Sequence, residues 1–206
     1  MKEFFDKVDQ NDRVLGKITR YEAHQLNIRH RAVHIFVQDT RGLWLMQKRS
    51  SRKDLDPLKW TTSCSGHVDA GESYIEAAER ECVEELGINM SRNDLREIFR
   101  CSPCTETGAE FVRVYVAGKQ FTNFTPDVSE IAEIDFYSFL ELSKKCKEEE
   151  QIFSGSFWKS FQDLFGNLFS VFFDNFLCVF FDDFFRVFFE LADQVYHILV
   201  KILSLL

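Results

Sequence analysis

The sequence lacks long uncharged apolar runs, an N-terminal segment typical of a signal peptide, and an excess of positive charge. No charge-free run reaches the roughly 20 residues that a membrane-spanning helix needs. The first residues, MKEFFDKVDQNDR, carry mixed charges and no apolar stretch typical of a signal peptide. The net charge of −8 disfavours nucleic acid polymers and anionic membranes as general partners. We therefore expect a cytoplasmic protein, whose substrate can still be anionic because a bound cation reverses the local charge.

The sequence also has few closely spaced cysteines, and it has no proline after Pro126. Only Cys101 and Cys104 of the six cysteines have ligand-like spacing, and no second pair accompanies them, which argues against a zinc knuckle. Free thiols are the expected state because there is no secretion signal. The composition changes near residue 150, beyond which phenylalanine dominates. We predict a domain over residues 1–158 and a helical tail over residues 159–206.

The first part of the chain alternates between strand and helix patterns. Strands are predicted over 30–38, 43–49, 58–63, 95–101, 110–118 and 131–138, where β-branched and aromatic residues are enriched. Helices are predicted over 73–86 and 139–150, where apolar residues recur every three or four positions. Because strands and helices interleave, with hairpins among them, we expect an α/β fold with a mixed sheet covered by helices.

The segment GHVDAGESYIEAAERECVEELGI, residues 66–88, contains a sharply delimited helix. Ser73 and Glu76 have the spacing of a capping box, which marks the start of the helix. Gly87 suits the position that ends it. The core-facing stripe between these ends consists of Ile75, Ala78, Cys82 and Leu86.

Three glutamates of this helix lie off the apolar stripe. Glu81, Glu84 and Glu85 are spaced i, i+3 and i+4, which places their Cβ atoms roughly 5–6 Å apart on one helix face. Acidic runs are usually solvated faces, and like charges at this spacing repel. A cluster of carboxylate oxygens is also what Mg²⁺ needs when it joins a protein to substrate phosphates. Arg80 can pair with a neighbouring carboxylate and hold it in place.

The same segment resembles the Nudix box of the Nudix hydrolases. The matching positions are Gly66, Glu72, Arg80, Glu81, Glu84, Glu85 and Gly87, with Ile88 at the closing aliphatic position. The departure is Cys82, where the family usually has a larger aliphatic residue, and its place on the stripe indicates a core residue. The resemblance covers roughly residues 1–158. It implies a Nudix-type α/β/α sandwich around a mixed sheet and the hydrolysis of a diphosphate linkage in nucleoside-diphosphate-type compounds.

The resemblance also implies roles for individual residues. The implied ligands of Mg²⁺ or Mn²⁺ are Glu81, Glu84, Glu85 and the main-chain carbonyl of Gly66. Glu72 and Arg80 are implied to position the loop and the helix. The general base varies within the family, and the candidates here are Glu84 and Glu110. The implied catalytic residues are therefore Arg80, Glu84, Glu85 and Glu110.

Further side chains are weaker candidates for contacts with a nucleotide substrate. Lys48, Arg49 and Arg113 lie on predicted strands and could meet phosphates, although basic residues at strand edges are more often solvated. Trp60 could stack on a base, although a tryptophan in the core is at least as common.

Isopentenyl diphosphate isomerase, which has a related fold, is the main alternative, and a catalytically silent nucleotide-binding module is another. The segments HRAVHIF and WTTSCSGH resemble that isomerase, in which His30 and His67 would bind metal. The isomerase needs a cysteine directly before the Gly-His pair, where this chain has Ser65. It also uses a carboxylate at the position of Gly108. We therefore favour a hydrolase and interpret the two histidines as a strand-edge and a loop residue.

The tail is a predicted amphipathic helix with an unusually broad apolar face. Its polar stripe consists of Asp163, Asn167, Ser170, Asp174, Asp182, Arg186, Glu190, Asp193, His197, Lys201 and Ser204. The domain is too small to cover the rest of such a helix, so helix–helix association in an oligomer is the favoured interpretation. Contact with a membrane surface is the second, although the helices that bind there are usually basic.

Overall fold

The computed structural model describes residues 3–157 and 159–161. The strands are β1 (Phe4–Val8), β2 (Val14–Thr19), β3 (His30–Phe36), β4 (Trp44–Arg49), β5 (Trp60–Thr61), β6 (Cys64–His67), β7 (Leu95–Cys101), β8 (Glu110–Ala117) and β9 (Ile131–Tyr137). The helices are α1 (Arg20–Gln25), α2 (Tyr74–Leu86) and α3 (Phe139–Glu148). Residues 155–157 and 159–161 are also helical. Both predicted helices, α2 and α3, are confirmed.

The larger sheet has the order β6-β3-β8-β7 and contains both strand directions. Strand β3 runs parallel to β8 and antiparallel to β6, which confirms the predicted mixed sheet. The register places His30 opposite Glu110 and Ala32 opposite His67. The polar residues at the start of β3 and β8 therefore lie beside the end of β6. The smaller sheets are β5-β4-β9 and the pair β1-β2.

Helices cover both faces of the larger sheet. Successive side chains of a strand point to opposite faces, so β3 contributes to two separate cores. The core on the side of α2 includes Val33, Ile35, Cys82 and Leu86. The core on the side of α3 includes Ala32, Phe36, Leu142 and Phe157. This layering agrees with the expected sandwich, and it fixes α2 against the sheet.

The two ends of α2 have the predicted caps. The hydroxyl of Ser73 accepts a hydrogen bond from the backbone N–H of Glu76, and the Glu76 carboxylate accepts one from the N–H of Ser73. Gly87 has a φ of 66° and ends the helix in the left-handed conformation. A Cβ atom on Gly87 would lie only 2.9 Å from Cβ of Thr125.

We predict that Gly87→Ala lowers the free energy of unfolding by more than the roughly 1–2 kcal/mol that the left-handed conformation alone costs a residue with a Cβ. The additional loss comes from the contact with Thr125. Gly71→Ala is the matched control, because Gly71 also has a positive φ, 88°, but no atom lies within 4 Å of an added Cβ. Urea denaturation of both variants tests this difference. Equal losses in the two variants would contradict the role of Thr125.

Two parts of the fold differ from the sequence prediction. The strand predicted over 58–63 is confirmed only as the short β5, and a second short strand, β6, follows in a different sheet where no strand was predicted. Ser63 lies between them, where its hydroxyl accepts from the N–H of Val37 at 2.8 Å and donates to the carbonyl of Leu45 at 2.5 Å. The second difference is the hairpin β1-β2 with α1, which the sequence analysis left unassigned.

The predicted tail helix, with its oligomeric or membrane-surface role, lies outside the described residues and stays a prediction. The described part extends slightly past the predicted boundary at residue 158, since Phe161 is buried and packs with Phe139 and Phe157. Among the described residues, no helix is long and apolar enough to cross a membrane.

Candidate active site

A cleft of about 810 Å³ brings the predicted site residues together. Its lining includes Gly66, Arg80, Glu81, Glu84, Glu85 and Glu110. They come from the strands β6 and β8 and from one face of α2. Basic residues that line the same cleft are Arg20, Arg49, Arg52 and Lys53. The cleft therefore combines a carboxylate cluster, which can hold a cation, with side chains that can attract an anion.

Arg80 holds the carboxylates and the neighbouring strand in place. Its guanidinium donates to Glu72 at 3.0 Å, to Glu81 at 2.7 Å and to Glu84 at 3.0 Å. It also donates to the main-chain carbonyl of His67 at 2.9 Å. Burial by itself would lower the pKa of Arg80, but the hydrogen bond that Arg80 donates to Glu72 and the charge of Glu81 outweigh burial and raise that pKa above its ordinary value. These contacts are the geometry that a positioning role requires.

The acidic face of α2 is only partly solvated. Glu84 is exposed, whereas Glu81 and Glu85 expose only 9% and 2% of their surfaces. Burial, followed by the charge of Glu85, raises the pKa of Glu81 to about 8. Burial also raises the pKa of Glu85. Both carboxyl groups therefore resist ionisation when no cation is near. A cation beside them would favour their ionised form, because opposite charges attract.

Gly66 allows Glu81 to approach strand β6. A Cβ atom on Gly66 would lie 2.0 Å from Cδ of Glu81, so any larger residue would displace the carboxylate. The glycine of the motif is therefore explained by a close approach between β6 and α2, not by its own backbone angles.

Glu85 is held by residues that the sequence analysis did not single out. Its Oε2 atom accepts hydrogen bonds from the Gln47 amide at 2.8 Å and from the N–H of Ser65 at 3.2 Å. Its Oε1 atom lies 3.7 Å from Nζ of Lys53, which also contacts Glu130. Gln47 and Glu130 belong to other segments of the chain, so only the tertiary structure reveals them.

A second cluster of possible metal ligands lies beside the first, at His67 of strand β6. One ligand atom each from His24, His30, His67 and Glu110 lie within 4.8 Å of one another. His67 Nε2 is 3.0 Å from Glu110 Oε1, and His30 Nε2 is 3.6 Å from the same oxygen, too far for a hydrogen bond. His30 is the first residue of β3 and is buried there. His67 belongs to β6, so its interpretation as a loop residue was wrong.

The chemistry of this second cluster fits a metal ion. The Nε2 atoms of His24 and His30 are buried and have no hydrogen-bond partner among the described residues. Burial, followed by the charges of His67 and His30, lowers the pKa of His24 to about 4, which keeps its imidazole neutral. Burial alone would raise the pKa of Glu110, but its interactions with His30 and His67 outweigh burial and hold it well below the usual range. Neutral imidazoles with an ionised carboxylate are a typical ligand set for zinc and similar transition metals.

Phe5 of the β1-β2 hairpin supports the histidines. Its ring stacks on His30 at 5.3 Å and on His67 at 4.5 Å between centroids. His24 comes from α1, which follows the same hairpin. The unassigned N-terminal segment therefore supplies one possible ligand and the packing that holds two others.

Several of the weaker candidates for contacts with a nucleotide substrate do not line the cleft. Of the three basic residues proposed for phosphates, Arg49 lines it, whereas Lys48 pairs with Glu133 and Arg113 pairs with Glu97. Trp60 is buried in the core, packing edge-on against Tyr137.

The family model of the NUDIX domain matches residues 28–155. The chain belongs to the NUDIX domain family. This Nudix protein is 41% identical over 86 residues to an uncharacterized Nudix hydrolase of Yersinia pestis, covering 42% of this chain and 47% of that protein. It is 34% identical over 147 residues to an isopentenyl-diphosphate Delta-isomerase of Streptomyces coelicolor, covering 69% of this chain and 74% of that protein.

A solved structure shares the fold of this Nudix protein. The crystal structure of DR0079 from Deinococcus radiodurans matches it with a TM-score of 0.67 and 26% identity, covering 79% of this chain and 99% of that chain. The Nudix protein spans about half the length of several curated relatives that it matches.

Proposed function

We propose that this Nudix protein is a metal-dependent hydrolase that cleaves a diphosphate linkage in a small nucleoside-diphosphate-type compound. The observation that carries the proposal is that Glu81, Glu84 and Glu85 line one cleft with Gly66. These residues would hold Mg²⁺ or Mn²⁺, whose carboxylate ligands are commonly supplemented by substrate phosphates. A bound metal ion would neutralise phosphate charge and activate a water molecule.

The chain's own residues would place the substrate and the attacking water. Arg80 fixes Glu81 and Glu84 on a rigid helix, which gives the precise placement that in-line attack needs. Arg49 and Arg52 line the cleft and can attract the phosphates. We assign the role of general base to Glu84, because its side chain is exposed, whereas that of Glu110 is largely shielded from solvent.

A panel of substrates with Mg²⁺ or Mn²⁺ tests the proposal. The panel contains nucleotide sugars, dinucleotides, nucleoside triphosphates and isopentenyl diphosphate, and products are separated by anion-exchange chromatography. We expect cleavage of a diphosphate linkage in at least one nucleotide compound, with none when the metal is chelated. If nothing in the panel is cleaved, the protein is better interpreted as a nucleotide-binding module.

The histidine cluster favours one second candidate, an isomerase of isopentenyl diphosphate. A relative named as such an isomerase aligns with 69% of this chain, and His24, His30, His67 and Glu110 form a plausible transition-metal site. Ser65 argues against an isomerase, because the isomerase needs a cysteine at this position. Cys64 does not replace it, since its thiol is fully buried. Burial raises the pKa of Cys64 well above the ordinary value, so the nucleophilic thiolate is disfavoured.

We predict that Cys64→Ala retains the hydrolytic activity and lowers the free energy of unfolding by about 1 kcal/mol, because it shortens a buried side chain. Steady-state kinetics and urea denaturation measure both effects. Cys82→Ala is the matched control, since Cys82 is equally buried on the facing helix. Loss of activity in the Cys64 variant alone, together with turnover of isopentenyl diphosphate by the wild type, would favour the isomerase.

A further inference from the structure

Lys53 occupies the place beside Glu85 where a cation is expected. Its Nζ atom lies 3.7 Å from Oε1 of Glu85 and also contacts the carboxylate of Glu130. The other oxygen of Glu85 already accepts hydrogen bonds from Gln47 and Ser65. The ammonium group of Lys53 therefore faces Oε1, the oxygen of Glu85 that accepts neither of these hydrogen bonds.

The backbone holds Lys53 in this position. The N–H of Lys53 donates to the carbonyl of Ser50, and the N–H of Ser50 donates to the carbonyl of Glu130 at 2.9 Å. The N–H of Asp127 donates to the carbonyl of Glu85, also at 2.9 Å. Backbone hydrogen bonds thus tie three segments together around the contact, and four-fifths of the Lys53 side chain is shielded from solvent. Most surface lysines, in contrast, are solvated and weakly placed.

We propose that Lys53 is an internal cation that balances Glu85 in the metal-free cleft and competes with the divalent ion for it. The inference rests on the carboxylate metal site of the proposed function. A divalent ion on Oε1 of Glu85 would lie within a few ångströms of the ammonium group, and two positive charges at that distance repel strongly in a partly buried site. Metal binding therefore requires that Lys53 move away from Glu85.

The test is the affinity of the substrate-free protein for Mg²⁺, measured by isothermal titration calorimetry. Mg²⁺ is used because it prefers oxygen ligands and leaves the histidine cluster out of the measurement. Lys53→Met keeps the length of the side chain and removes its charge, and we expect it to tighten Mg²⁺ binding by about tenfold. Lys53→Arg keeps the charge and should stay near the wild-type affinity.

Lys59→Met is the matched control, because Lys59 lies in the same loop but pairs with Asp56. It should leave the affinity unchanged. In a Glu85→Gln background, Lys53→Met should no longer tighten binding, because the oxygen for which Lys53 competes has lost its charge. Unchanged or weaker Mg²⁺ binding in Lys53→Met would overturn the inference.

The same titrations separate this inference from the proposed function. If Glu85→Gln weakens Mg²⁺ binding and Lys53→Met has no effect, only the role of Lys53 is overturned. If Glu85→Gln does not weaken Mg²⁺ binding at all, the carboxylate site itself is wrong and both proposals are overturned.

Discussion

Glu85→Gln is expected to lower the turnover of the diphosphate substrate by on the order of 10²–10³-fold, the range seen when one electrostatic group of an active site is removed. The fold should survive, because the glutamine carbonyl can still accept the hydrogen bonds from Gln47 and Ser65. Stability should not fall, since the variant removes a buried group whose charged form is disfavoured. Steady-state kinetics at saturating Mg²⁺, with thermal denaturation alongside, measure both effects.

Glu79→Gln is the matched control for this variant. Glu79 lies on the same helix, two positions before Glu81, and is not among the residues lining the cleft. We expect Glu79→Gln to keep the wild-type turnover. That result would show that lowering the negative charge of α2 does not by itself reduce activity. Equal activity of the two variants would remove Glu85 from the catalytic machinery.

His67→Asn is expected to weaken the binding of Zn²⁺ by at least about 100-fold, because even the loss of an outer partner of a metal ligand costs about 10- to 100-fold. His67 is the best position to vary, since it is only half-buried and a polar asparagine fits there. Competition with a chromophoric chelator measures the affinity. Zn²⁺ at about 100 times its dissociation constant should also stabilise the wild type by about 2.7 kcal/mol, and the variant by much less.

Crossed controls assign each metal to its cluster. Glu85→Gln should leave Zn²⁺ binding unchanged, whereas Glu110→Gln should weaken it, because Glu110 is the carboxylate of the histidine cluster. The pattern should reverse for Mg²⁺. A wild-type protein that binds no Zn²⁺, or variants that all bind it equally, would contradict a transition-metal site at His24, His30 and His67.

The two clusters together bear on the choice between hydrolase and isomerase. The carboxylates on α2 are the part that a hydrolase needs, and they resemble the complete Nudix box. The histidine cluster is the part that favours the isomerase, but Ser65 stands where a cysteine is required and Cys64 is buried. A hydrolase with a transition-metal site beside its carboxylate cleft, which the Zn²⁺ competition experiment tests, would account for all of these residues.

The sequence by itself determined the helix that carries the carboxylates. Its caps at Ser73 and Gly87, its apolar stripe and the shared face of Glu81, Glu84 and Glu85 all depend on positions at most four residues apart or on single residue types. Such local relations are set by helix geometry, so they can be predicted from spacing alone. The alternation of strands and helices likewise predicted the α/β class with a mixed sheet.

Only the tertiary structure decided which distant residues complete the site. His24, His30, His67 and Glu110 come from four elements, and the register of β3 with β8 and β6 brings the last three together. A shift of one residue would turn His30 to the other face of the sheet, and no local pattern fixes that register. The burial of Glu85 and its contact with Lys53 depend in the same way on loops packing against α2. Burial and long-range pairing are properties of the assembled core, which is why the sequence alone could not supply them.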